Sequence, residues 1–403
     1  IYTSLFVGQR QMCIRDRAIY PYTIWSEQYI SSISNDTMAI EHYVFPDRYE
    51  SSFSNYSLTG EMIRFFSDLF GEYPFISEKY GHADFKWGGG MEHQTLSSMG
   101  SSSQNLIVHE LGHSWWGNLI TCKTFNDIWL NEGFARYCQA LWFEHINGEE
   151  AYASFMNDYA YYGDGTIYVE NPSSNSQIFN SNLSYNKASW VLHMLRHKVG
   201  DDTFFEILKS YASNDTLAYN AASTADFQKI SEDISGQNLE LFFQQWIYEE
   251  GYPKYEMSWW HDGNETYKVK IDQIQSSGLF SMPIDLNFSG SIGPLLIDTT
   301  IVVENNSLNH LYEISGLNFF VENVTLDPNN WILKEVSYTT NGIDHLMPKN
   351  IDVQLAYPNP FNSNLKLSFY VHPRLGNHNV SIDVFNINGG LVESLTKKMF
   401  QSG

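Results

Sequence analysis

His109-Glu110-Leu111-Gly112-His113 lies in a helical pattern running from Leu106 to Leu119. Residues four apart share one helix face, so His109 and His113 project together and can hold one metal ion. Two ligands do not complete a catalytic zinc site, which takes three protein ligands and keeps a fourth position open for water. A third candidate follows after eighteen intervening residues: Glu132, in Trp129-Leu130-Asn131-Glu132-Gly133-Phe134-Ala135, opens a second helical pattern that can fold back on the first. Glu110, next to His109, would face the open position and take a proton from water that zinc has made acidic near neutral pH. The competing reading of the short motif is a wet helix face with no metal. Glu132, in an aromatic and helix-forming setting, weighs against it.

Gly88-Gly89-Gly90-Met91-Glu92-His93 is a second unusual run. Without Cβ atoms, such glycines let a substrate backbone lie close to a strand edge, as in strand addition. Alternatively, they form a hinge beside a solvated Glu.

The elements that must position these residues are legible in outline. Thr59-Gly60-Glu61 opens an amphipathic stretch (Met62, Ile63, Phe65, Phe66, Leu69, Phe70) that stops at Gly71 and Pro74. Helical patterns follow at Gln104–Leu119, Asn126–Asn147, Ala188–Val199, Thr203–Tyr211, Thr224–Ser235 and Leu239–Glu250. From about Pro253 the period changes to alternation, in Tyr267–Ile274, Ile284–Phe288, Leu295–Val303 and Trp331–Val336, which predicts an antiparallel sandwich. A third unit begins near Asn350. There the turn block Pro358-Asn359-Pro360-Phe361-Asn362 precedes the strand-like Leu365–Val371 and Val380–Phe385 and a turn at Asn388-Gly389-Gly390.

Across 403 residues, 23 Lys and Arg face 46 Asp and Glu, so the averaged field repels nucleic acid phosphates and anionic lipid. No apolar run approaches the roughly 18 residues of a membrane span. Cys122 and Cys138 are open to two readings, one bridge in an exported protein or two buried thiols, and neither has the spacing of a thiolate zinc site. Residues 1–17, with Gln9-Arg10-Gln11-Met12-Cys13-Ile14-Arg15-Asp16-Arg17, fit no helix or strand period and resemble a translated sequencing-library adapter, so native sequence is expected to begin near Ala18.

Taken together, Gly88-Gly89-Gly90-Met91-Glu92-His93, the His109–His113 motif with Glu132, and Tyr185-Asn186-Lys187 resemble the M1 family of zinc aminopeptidases, gluzincin relatives of thermolysin. The resemblance runs roughly from Tyr43 to Tyr255. It implies one zinc ion per chain held by His109, His113 and Glu132, with Glu110 as general base and Tyr185 stabilising the oxyanion. It also implies a substrate strand along Gly88, Gly89, Gly90 and Met91, with Glu92 holding the free α-ammonium of a peptide. Two departures stand out. His93 occupies a position where the family most often has Asn, and the family's N-terminal β domain is almost wholly missing.

Leu355-Ala356-Tyr357-Pro358-Asn359-Pro360-Phe361-Asn362 and the strands after it resemble the C-terminal sorting domains of type IX secretion substrates. This implies contact with a secretion machinery and a secreted or cell-surface protein of a Gram-negative bacterium; the alternative is an immunoglobulin-like spacer. The expected fold class is multidomain α+β. Residues 18–44 would be the remnant of an N-terminal β domain, 45–252 a thermolysin-like, mainly helical catalytic domain, 253–347 a β-sandwich, and 350–403 a truncated immunoglobulin-like β module. Rival functions are a zinc endopeptidase or epoxide hydrolase of the same family, and a non-catalytic peptide-binding surface module.

Overall fold

The first ordered strands alternate cleanly. In Thr37–Val44 (β2) the side chains of Met38, Ile40, His42 and Val44 are buried, while their neighbours face outward. The structure is a computed structural model; it describes residues 21–339 except 263–265 and 293–294, and four strands between 351 and 400. The adapter-like residues 1–17 lie outside it. Thr23–Ile30 (β1) pairs antiparallel with β2. β2 then runs parallel to Lys79–Asp84 (β3), and β3 parallel to Ser97–Met99 (β5), with Gly90–Met91 (β4) antiparallel on the edge. The boundary expected at residue 44 therefore falls inside one sheet. The buried face of β2 shares a core with Tyr56 of Tyr49–Tyr56 (α1) and with Met62, Ile63 and Phe66 of Thr59–Phe70 (α2), so β1 and β2 belong with the elements that follow.

Gln104–Gly112 (α3) starts at Ser103, whose hydroxyl accepts from the Leu106 N–H at 3.3 Å. It ends seven residues earlier than its apolar pattern. After Gly112 the N–H groups of Asn118, Leu119 and Ile120 reach back five residues to the carbonyls of His113, Ser114 and Trp115. Gly117, at φ 147°, releases the chain into Ile120–Cys122 (β6), which lies parallel to Asn220–Ala222 (β7). Trp129–Asn147 (α4) packs on α3 where Gly112 has no side chain; a Cβ there would sit 3.1 Å from the Cys138 sulfur. Cys122 and Cys138 are free thiols, which excludes the bridge. Glu149–Asp158 (α5) is a helix the periodicity does not announce.

Ala188–Val199 (α6), Asp201–Ala212 (α7) and Thr224–Ser235 (α8) follow in the helical layer, and the helix expected over Leu239–Glu250 is an α-helical turn, Glu240–Phe243, running into a π-helical one, Gln244–Tyr248. The α8 entry is a capping box of Ser223 and Asp226, and its exit is Gly236 in the left-handed conformation. Gly133 in α4 meets α6 so closely that a Cβ would lie 2.5 Å from the Ala188 Cβ. Gly133→Ala is therefore expected to destabilise the fold by about 1–3 kcal/mol through overpacking, read as a lower urea midpoint at unchanged slope.

The alternating segments form two facing sheets. Asn309–Ser315 (β12), Thr266–Gln273 (β9), Lys254–His261 (β8) and Glu335–Tyr338 (β14) make one, in that order. Leu295–Asn305 (β11), Met282–Ile292 (β10) and Phe320–Leu326 (β13) make the other. Tyr267, Val269 and Ile271 meet Ile284, Leu286, Phe288 and Val321 in a buried core, and the Val321 N–H donates to the Tyr267 phenol oxygen at 2.9 Å. Pairing is antiparallel except for β14, which runs parallel to β8. Within the segment expected as the strand Trp331–Val336, residues 331–334 instead form an anchor. Asp327 accepts from the N–H groups of Trp331 and Ile332, both at 2.8 Å, and from Lys334 at 2.7 Å, while the Trp331 ring stacks on His193 and His197 of α6. In the last unit Ile351–Tyr357 (β15) pairs antiparallel with Lys366–Val371 (β16), and His378–Phe385 (β17) with Leu391–Phe400 (β18). The turn residues expected at 358–362 and 388–390 lie outside the described residues. The protein is thus a multidomain α+β chain.

Candidate metal centre

Helix α3 presents His109 and His113 one turn apart, and the first turn of α4 presents Glu132 to both. The His109 and His113 Nε2 atoms are 3.2 Å apart, and the Glu132 Oε2 atom lies 3.4 Å from the first and 3.2 Å from the second. Tetrahedral zinc bound at roughly 2.0–2.1 Å needs ligand atoms about 3.3 Å apart, so the three atoms fit the ion, and two imidazoles with one carboxylate are a donor set that suits it. The His113 Nδ1–H donates to the Trp116 carbonyl at 2.9 Å, which leaves the Nε2 lone pair for a metal. The start of α4 is pinned from two sides. Asn131 Oδ1 accepts from the Cys122 N–H of β6 at 2.9 Å, and the Trp129 indole donates to Thr224 of α8 at 2.8 Å.

The site's electrostatics follow from burying three carboxylates around two imidazoles. Burial pushes Glu110 well above the usual carboxylate range, with Glu92 and Glu132 adding to the shift and His113 opposing it. Burial alone would also raise Glu132, but His113 and His109 draw it below its ordinary value. Burial works against a proton on His113, yet Glu132 and Glu92 overcome it and hold His113 up at about 10. Without a metal, then, a proton on His113 partly compensates the carboxylates, and a divalent cation competes with that proton.

Glu110 faces β4. A Cβ on Gly90 would fall 2.2 Å from the Glu110 Oε1 and 2.4 Å from its Cδ, so this glycine makes room for the carboxylate itself. Gly88 and Gly89 meet nothing within 4 Å, and Gly89 adopts φ 81°. The three glycines thus differ: Gly88 and Gly89 stand in open space, and Gly90 accommodates Glu110. Gly90→Ala should displace that carboxylate and lower kcat by about 10²-fold, with metal content unchanged, as measured by steady-state kinetics beside metal analysis.

The oxygens of Glu92 and Glu110 and a nitrogen of His113 lie within 4.8 Å of one another, so Glu92 borders the same space. Its carbonyl accepts from the Asn118 side chain at 2.8 Å. His93 turns away, with its Nδ1 3.2 Å from the Ser98 hydroxyl of β5, so it ties the edge motif to the sheet. Tyr185 sits on a π-helical turn, Ser181–Lys187, entering α6, and its ring lies 5.9 Å from that of His109 at 21°. Asn180 caps this turn through the N–H groups of Asn182 and Leu183. Burial, then the charges of Glu132, Glu92 and Glu110, push the Tyr185 phenol up, so it stays protonated and can donate a hydrogen bond.

These residues line a cleft of about 560 Å³, together with Asn105, Arg136, Gln139 and Phe179. Sequence reasoning passed over those four. For Arg136 the signal was present, because four residues after Glu132 it must share that ligand's helix face.

Residues 91–246 match the peptidase family M1 domain, and the chain is 31% identical over 160 residues to aminopeptidase N of Lactococcus lactis, covering 37% of this chain and 19% of that protein. The similarity to peptidase family M1 thus covers residues 91–246. Residues 355–402 match the secretion system C-terminal sorting domain. The chain covers about a fifth of the length of the curated relatives it matches. Its fold is similar to that of Legionella pneumophila aminopeptidase A, solved with aspartic acid, at TM-score 0.71 and 15% identity over 80% of this chain and 39% of that one. A two-domain M1 zinc metallopeptidase, solved as a point mutant with L-tryptophan, is similar at TM-score 0.50 and 25% identity over 56% of this chain and 52% of that one. Among the described residues, no helix is long and apolar enough to cross a membrane.

Proposed function

We propose that this chain is a zinc aminopeptidase of the M1 type that removes single residues from the N-termini of peptides. The observation that carries the reading is the set of three candidate ligand atoms 3.2–3.4 Å apart, with a buried Glu110 beside them. Bound by His109, His113 and Glu132, zinc would supply a Lewis acid that polarises the peptide carbonyl and makes water acidic near neutral pH. Glu92 pairs with the substrate's α-ammonium, a charge-assisted contact that sets the first peptide bond beside Glu110 and Tyr185. Glu110 takes the proton of the attacking water and hands it to the leaving amine. Tyr185 donates its phenolic proton to the oxygen on which negative charge develops, in a site that excludes most water. Tyr185→Phe is therefore expected to lower kcat by about 10²–10³-fold while KM changes little, measured on one aminoacyl amide.

The sorting-domain match supports export through a type IX machinery to the outside or surface of a Gram-negative cell. We further assign β1 and β2 to the catalytic unit, followed by a sandwich domain from about residue 253.

The exopeptidase part rests on Glu92 and is tested by pairs of aminoacyl substrates with free and acetylated amines. Only free amines should turn over, and Glu92→Gln should cost about 10-fold or more in kcat/KM on them, the worth of one charge-assisted hydrogen bond. Turnover of acetylated substrates at a similar rate would instead identify an endopeptidase.

A further inference from the structure

The cleft holds a cation that the proposed mechanism does not use. Arg136 lies one helical turn beyond Glu132, about 6 Å along α4, and of the residues lining the cleft it is the one Lys or Arg. Among the described residues it forms no salt bridge. One guanidinium nitrogen donates to Gln139 Oε1 at 3.0 Å and the group also hydrogen-bonds the Tyr159 phenol, while its Nε–H is buried with no hydrogen-bond partner. A guanidinium left short of acceptors in a largely buried position is costly unless something completes it. Its central carbon lies 4.4 Å from the Tyr159 ring centroid and 5.9 Å from that of Tyr185, so two aromatic faces attract the cation.

We propose that Arg136 is a specificity-determining residue that receives a substrate carboxylate one residue beyond the cleaved bond, which makes short peptides with a free C-terminus, or peptides acidic at that position, the favoured substrates. The inference rests on the aminopeptidase reading of the cleft. A planar guanidinium matches a carboxylate in two-point fashion, and contact with two rings reduces what must be ordered on binding. The distance is right: one residue of extended chain spans roughly 3.3–3.6 Å, within reach of an Arg side chain rooted one turn from the metal ligand.

The test uses the full chain and three probes: alanyl-alanine, alanyl-alanine amide and alanyl-aspartic acid α-amide. Binding to the metal-free protein is followed by calorimetry, and kcat/KM is followed on the zinc-loaded protein. The free acid should exceed the neutral amide by about tenfold or more in both. In Arg136→Gln the ratio should fall to within about twofold of one, and Arg136→Lys should keep part of it. An aspartyl amide that matches the free acid assigns the site to side-chain carboxylates as well; one that behaves like the neutral amide assigns it to the C-terminal carboxylate. Equal binding of all three probes overturns the proposal. So does a loss in Arg136→Gln that is the same for acid and amide, the signature of a residue that only supports Tyr185. A preference in binding without turnover of any probe would sink the aminopeptidase reading and leave the carboxylate site standing.

Discussion

Glu110→Gln is expected to reduce kcat by about 10²–10⁴-fold with zinc content unchanged, the range for loss of a positioned general base. Gln has nearly the shape of Glu, so the close approach to Gly90 and the three metal ligands should survive. The stability effect should have the opposite sign. An acid whose folded pKa is raised by burial disfavours folding at any pH above its unfolded value, where the unfolded chain ionises freely. Removing the charge should therefore raise the melting temperature of the metal-free protein at pH 7 and leave it unchanged near pH 3. Calorimetry on the two metal-free proteins reads this directly. A variant that loses activity and stability together would mean that Glu110 is structural.

Glu132→Ala should have the largest combined effect. Zinc affinity should fall by more than about 100-fold, the upper range for losing a partner that merely supports a ligand, and activity should fall with it. In the metal-free protein the change leaves a buried His113 that Glu132 had favoured as a cation, and breaking a buried pair costs on the order of 3–5 kcal/mol. The pH window follows from the two shifts. His113 is raised to about 10, so its contribution is complete below the ordinary histidine range and fades as pH climbs through about 10. Glu132 is lowered, so its contribution is complete above the ordinary carboxylate range and is lost in strong acid. The difference between wild type and Glu132→Ala should accordingly be greatest between about pH 5 and 6.5 and shrink on either side. Urea titrations at several pH values on metal-free protein measure it, and a difference that does not vary with pH would show that the pair is not ionic.

The helix pairing behind this site was readable because its information is local. Two His at helical spacing and a Glu at the head of the next helix need no distant contact to be recognised. Glycine's part was harder to read. Gly90 and Gly133 are required by what lies opposite them, Glu110 and Ala188, and a sequence does not announce its neighbours across a cleft or between helices. The place of β1 and β2 was hidden for the same reason: β2 pairs with β3 across some thirty-five residues, and only that pairing joins them to the sheet that carries Gly90 and Met91. Tyr185 stands on a π-helical turn that has no periodic signature, so it was found through resemblance alone. Arg136 lies on the Glu132 face of α4, where its charge can be read only once the cleft is assembled.

The most direct test is a zinc titration of the metal-free chain against an unblocked hexapeptide, with products followed over time by mass spectrometry. The account predicts no cleavage before zinc is added, activity that saturates at one zinc per chain, and a product ladder that shortens from the N-terminus one residue at a time. Internal fragments appearing first, or equal cleavage without zinc, would contradict it.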